Sequence, residues 1–206
     1  MAHAAVAPWI PLAGSTAKVE VTAQNMDRRF IDLMISWSGA IVAVALLALG
    51  AAAIYGGAFA LSNVRDRLEP QNITFPPAEA MSEFDKAEGL TAYAGQNVDT
   101  GTEAEAYSRY IGGHLVAIND GATYSETSAA AREEGLDPKL AAELQGKADT
   151  PFKGETLRAI LLNAYGWWTV GQITMWAGIG AVIAGLFLAM FVSLGFLHAR
   201  KERIQS

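Results

Sequence analysis

The 206 residues carry 15 Lys and Arg against 21 Asp and Glu, a formal charge of −6, and 51% of them are apolar. A nucleic-acid binder needs a basic face to neutralise phosphates, so the charge balance argues against that class. There is no cysteine, which excludes disulfides, thiol catalysis, iron–sulfur clusters and Cys-type zinc sites, and three histidines leave little for a histidine-rich centre.

Residues 1–32 form a first segment. Pro8, Pro11, Gly14 and several small polar residues make positions 1–26 read as a flexible tail. From Leu33 to Val64 there is no Asp, Glu, Lys, Arg or His. That run exceeds the roughly 20 apolar residues that carry a helix across a bilayer. It also lacks the polar stripe of a soluble core helix, so residues 33–62 are predicted as a transmembrane helix. Arg28-Arg29-Phe30-Ile31 and Ala58-Phe59-Ala60 resemble an export signal and its cleavage site. The apolar run is much longer than the roughly 7–15 residues of such a signal's core, which favours an uncleaved anchor.

Residues 63–158 change character. Between Arg65 and Arg158 there are 9 basic and 17 acidic residues, a net of −8. The punctuation is helical, without the alternation of strands. Pro76-Pro77 ends an extended exit, and Ala78 to Ala94 forms a helix weakened by Gly89. Thr102-x-x-Glu105 reads as a capping box that opens a helix from Glu103 to Asn119, stopped by Gly121. Ser125 to Glu134 makes another, ending at Gly135. Asp137-Pro138 then supplies an N-cap and a proline at the first helical position, with a helix to about Gln145. Thr150-Pro151 restarts the chain.

Residues 159–197 comprise the outer end and body of a second span, again without a charged residue or histidine. Tyr165, Trp167 and Trp168 suit the outer membrane interface. Lys18, Arg28 and Arg29 precede the first span, and Arg200, Lys201 and Arg203 lie in the last segment, 198–206. Positive charge stays inside, so both termini are expected in the cytoplasm and the acidic segment outside the cell membrane. The expected fold class is all-α: two transmembrane helices flanking a small helical extracytoplasmic module.

Candidate sites are few. Ala48, Ala52, Gly56 and Ala60, continuing from Ala40 and Val44, lie on an i+4 row of the first span. Ala177, Ala181 and Gly185 lie on a similar row of the second. Small residues at that spacing let membrane helices approach closely. Tyr107, Arg109, Tyr110 and His114 have the composition of a partner-binding face, although a helix packed by its tyrosines explains the same residues. His114 has Ala117 and Ile118 at i+3 and i+4, so no second metal ligand stands beside it. There is no Gly-x-Ser-x-Gly elbow, no phosphate-binding glycine loop after a strand, and no charge in mid-span for an ion path. No catalytic, cofactor-binding or metal residue is therefore assigned, and no cofactor is expected.

Three stretches carry a resemblance: Asn63-Val-Arg-Asp-Arg-Leu-Glu-Pro-Gln-Asn-Ile-Thr-Phe-Pro-Pro77, Tyr107-Ser-Arg-Tyr-Ile-Gly-Gly-His-Leu115, and Gly154-Glu-Thr-Leu-Arg-Ala-Ile-Leu-Leu-Asn-Ala-Tyr-Gly-Trp-Trp168. Together they resemble a group of uncharacterised two-span membrane proteins of high-GC Gram-positive bacteria (actinobacteria). The resemblance implies the same topology and a cell-envelope location, and brings no catalytic residue. Some of that group bear a ring-opening dioxygenase label, chemistry that calls for a two-His-one-carboxylate set absent here. The expected role is a non-enzymatic accessory or scaffolding protein. Its expected partners are the lipid bilayer and another membrane or envelope protein, with no nucleic acid. The alternative is an extracytoplasmic small-ligand sensor or binding module signalling through a partner.

Overall fold

A computed structural model describes the backbone of residues 13–205 and the side chains of residues 30–197. Residues 1–12 and the side chains of Lys18, Arg28, Arg29, Arg200, Lys201 and Arg203, on which the expected orientation rests, lie outside the described residues. The regular structure of the described residues is helical, with no strand among them. Its α-helices are α1 (Ala13–Leu68), α2 (Glu83–Ala87), α3 (Gly101–Ile118), α4 (Tyr124–Ala130) and α5 (Pro138–Gln205), with 3-10 turns at Glu69–Gln71, Ala78–Ala80 and Leu90–Tyr93. One isolated bridge joins Thr74 to Asn97.

Local chemistry explains the helix starts, and three capping boxes do most of it. Ser82 Oγ accepts from the Asp85 amide at 3.2 Å, while Asp85 Oδ2 accepts from the Ser82 amide at 2.9 Å. Thr100 with Glu103 and Thr123 with Glu126 repeat the arrangement. The box at α3 thus falls two residues before the expected Thr102-x-x-Glu105. In that frame Glu103 Oε2 accepts from both the Thr100 and Asp99 amides, at 2.8 and 2.7 Å. One carboxylate satisfies two donors, and Glu105 is left to pair with Arg109. The Ser82 box and Gly89, at φ 71°, also divide the expected Ala78–Ala94 helix into three short pieces. Helix α4 unwinds after Ala130, short of the expected Glu134, where Arg132 folds its Nε back onto the Ser128 carbonyl at 2.9 Å.

Two other expectations are corrected. Helix α1 begins at Ala13, inside the segment read as a flexible tail; after Pro11 no proline follows until Pro70, and Ala17, Lys18, Glu20, Ala23 and Gln24 favour helix. Helix α5 runs from Pro138 without a restart, with Pro151 inside it. Asp137 caps the start as expected, its Oδ1 accepting from the Lys139 amide at 2.9 Å. An internal proline costs about 3 kcal/mol. Packing around it offsets that penalty: Ala148 and Pro151 are buried, and Leu115 of α3 fills the space that a side chain at Gly154 would need.

The chain divides into two compact units, Ala52–Ile179 and the remainder. The first holds the module and the adjoining parts of α1 and α5. Its core joins Phe75, Met81, Leu90, Val98, Ala104 and Ala106 of the module to Val64 and Leu68 of α1 and to Leu161 and Trp168 of α5. The second unit pairs the other parts of the same helices. There Gly39 lies against Val192, Gly185 against Leu46 and Leu47, and Trp37 meets Phe196 edge-on at 6.1 Å.

Both long helices are long and apolar enough to cross a membrane. Only 11% and 6% of their most apolar windows are buried, far less than a soluble protein's core helix requires. The small-x-small sequence Ala58-Phe59-Ala60 lies within the C-terminal part of α1, upstream of the core residues Val64 and Leu68.

Candidate functional site

Where the apolar helices meet inside the first unit, backbone touches backbone. A Cβ on Gly57 would stand 2.6 Å from the Gly171 carbonyl oxygen, and one on Gly171 would stand 3.1 Å from Ala60 Cβ. Of the expected packing residues, Ala60 and Gly185 lie at helix contacts and Ala181 is half-buried. Ala48, Ala52, Gly56 and Ala177 are exposed instead, and nothing lies within 4 Å of a Cβ on Gly56. The reason is angular. An i+4 row drifts by roughly 40° per step around a helix of 3.6 residues per turn, so it leaves the contact face within a few turns. A seven-residue repeat drifts far less. Buried positions recur at that interval: Ala43, Gly50, Gly57 and Val64 on α1, and Gly171, Gly178 and Gly185 on α5. The signal was present in the sequence, beside the alanine row.

The expected partner face turns inward. Tyr107 and Tyr110 of α3 pack against Phe75, with ring centroids 5.0 and 6.4 Å away, and Tyr93 stacks on the same ring at 5.4 Å. Burial raises the Tyr107 hydroxyl above the usual phenol range. Tyr110 is raised by burial first, then by its neighbours Tyr107 and Asp85. Arg109 donates from Nε to Glu105 at 3.0 Å and from Nη1 to the Glu88 carbonyl at 2.9 Å, closing the C-terminus of α2 onto α3. His114 Nδ1 sits 2.9 Å from the Tyr110 carbonyl, which only accepts, so Nδ1 carries the proton. All four side chains are half-buried. Among the described residues no group of three His, Asp or Glu is placed to hold a metal ion.

Sequence reasoning missed a second use of α3. A Cβ on Gly113 would lie 2.3 Å from the Phe84 ring, and one on Gly112 would lie 3.1 Å from the Arg158 guanidinium. Arg158 donates from Nε to the Ser108 carbonyl at 3.1 Å and from Nη1 to Glu155 at 2.8 Å. Two glycines in mid-helix, each worth about 1 kcal/mol against helix formation, are the signal that could have located this contact.

Beside this core a groove of about 1320 Å³ opens, open along one side. Phe59, Asn63, Asp66 and Arg67 of α1 and the following Gln71 form one wall. Ile160, Asn163 and Trp167 of α5 line it too, and Tyr107 and Ile111 of α3 complete it. Of the expected packing and partner-face residues, Gly56, Ala60 and Tyr107 belong to it.

Comparison with family models, curated proteins and solved structures yields no match to this chain. The described residues define its class by themselves: an all-helical protein with two helices long and apolar enough to cross a membrane.

Proposed function

We propose that the chain is an integral membrane protein of the cell envelope, non-enzymatic, that presents its acidic helical module outside as an accessory or scaffolding subunit. Both termini are cytoplasmic in this reading, supported chiefly by Arg200, Lys201 and Arg203 after the second apolar run, since Arg28 and Arg29 before the first are matched in number by Arg65 and Arg67 after it. The observation that carries it is the shared core: Val64, Leu68, Leu161 and Trp168 belong to the apolar helices and to the module at once. Such a module is held at a fixed height by the helices, without a flexible linker to them. A fixed docking surface is what an accessory subunit contributes to a larger membrane complex. The module leaves Val116 and Ile118, 60% and 58% exposed, at the end of α3.

The absence of cysteine makes the topology directly measurable. Single cysteines replacing Ser125 and Ser206 are labelled with a membrane-impermeant maleimide in intact cells. Labelling at 125, with labelling at 206 only after lysis, is the expected result; the reverse pattern overturns the orientation. A mild-detergent pull-down then tests the role. A stoichiometric membrane partner that is lost on Ile118→Asp supports scaffolding, and a chain that purifies alone refutes it.

A further inference from the structure

We propose that the groove beside Arg67 holds one phospholipid, its phosphate on the Arg67 guanidinium and an acyl chain along the apolar wall. The inference rests on the membrane reading above. Three observations carry it. First, every polar residue that α1 gives to the groove lies toward one end: Gly56, Phe59 and Ala60 are followed by Asn63, Asp66 and Arg67, with the apolar Val64 and Leu68 between and beyond them. Under the proposed topology the apolar end lies at membrane depth and the polar end at the outer interface, which is how an amphiphile lies. Second, the groove of about 1320 Å³ exceeds the roughly 300–1,000 Å³ of clefts that enclose small metabolites. Its open side suits a long chain entering from the bilayer.

Third, the charge at the rim is complementary to the head. Arg67 Nε donates to Asn63 Oδ1 at 2.6 Å, which holds the guanidinium at the groove wall. Among the described residues Arg67 has no ion pair with a carboxylate. A guanidinium fixed in this way is suited to bidentate recognition of phosphate. Asp66, at the same rim, is complementary to the ammonium of an ethanolamine head.

The full chain, purified and delipidated in detergent, is titrated with phosphatidylethanolamine and separately with diacylglycerol, and bound lipid is counted by native mass spectrometry. The expected result is one phosphatidylethanolamine retained per chain, with diacylglycerol retained about tenfold less, the ratio of one charge-assisted hydrogen bond. Arg67→Gln lowers phosphatidylethanolamine retention by the same factor and leaves diacylglycerol unchanged. Ile160→Trp, which fills the groove at an exposed position, removes both. Equal retention of the two lipids, or unchanged retention in the two variants, overturns the proposal. Flotation with liposomes is run in parallel. A chain that floats yet retains no lipid defeats the groove alone, whereas a chain that does not float defeats the membrane reading beneath it.

Discussion

Trp168 occupies the space that a side chain on Gly101 would need, since a Cβ there would lie 2.2 Å from Trp168 Cβ. The first residue of α3 is thereby seated on α5. Gly101→Ala forces these backbones apart and is expected to destabilise the chain by about 1–3 kcal/mol, as overpacking does. Alanine's better helix propensity, about 1 kcal/mol, works in the opposite direction. Gly112→Ala provides the comparison, because its nearest neighbour is the end of the flexible Arg158 side chain. Thermal denaturation in detergent measures both. A Tm for Gly101→Ala at or above that of the parent would contradict the contact.

The seven-residue seam makes a contrasting pair of predictions. Gly57→Leu and Gly171→Leu place a branched side chain where backbone meets backbone, and each is expected to disrupt the helix pair. Ala48→Leu, Ala52→Leu and Ala177→Leu project from exposed positions and are expected to change the melting temperature little. If the alanine variants are the damaging ones, the i+4 row is the true contact.

Truncation tests the shared core. Residues 63–158 lack Leu161 and Trp168, together with the α1 turn containing Gly57 and Ala60. Loss of one large buried side chain costs about 2–5 kcal/mol, comparable with the whole stability of a small domain. That fragment is expected to lack cooperative melting, while residues 52–179 in detergent retain it. Cooperative unfolding of 63–158 would place the core elsewhere.

Acid should loosen the corner between α3 and α4. The Lys147 ammonium, donating to Asp120 at 2.8 Å, holds that carboxyl below the usual range. The Thr123 amide and hydroxyl do the same for Glu126. A carboxyl whose folded pKa is depressed contributes stability above its unfolded pKa, near about 4, and loses it as pH falls through the folded value. Both groups are fully exposed, so the effect is local. Hydrogen exchange at the α4 amides, corrected for intrinsic rates, is expected to accelerate below about pH 4. Lys147→Met should remove the part of this dependence that comes from Asp120, and an unchanged profile in that variant would argue against the ion pair.

Legibility in the sequence followed the range of the interaction. The two apolar runs, the start of α5 at Asp137-Pro138 and the stop at Gly121 are local signals, and each was readable. Two Thr-x-x-Glu frames overlap at the start of α3, so the local sequence does not choose between them; in the structure Glu103 caps and Glu105 pairs with Arg109. Pro151 was read as a break because its tolerance depends on contacts with α3. Tyr107 and Tyr110 are legible as a helix face that either packs or binds a partner, but not the rings they pack on, since Phe75 and Tyr93 reach them across the chain. The groove was invisible for the same reason: its walls come from residues near 60, 110 and 160.

The shared core also fixes an order of events during synthesis. Val64 and Leu68 emerge from the ribosome about a hundred residues before Trp168, and at roughly 5–20 residues per second that interval is on the order of 5–20 s. Until α5 has been made, the core lacks the share that Leu161 and Trp168 contribute. The nascent chain therefore spends those seconds with an incomplete core, a window in which chaperones and proteases compete for it, and arrival of the second apolar helix ends that window.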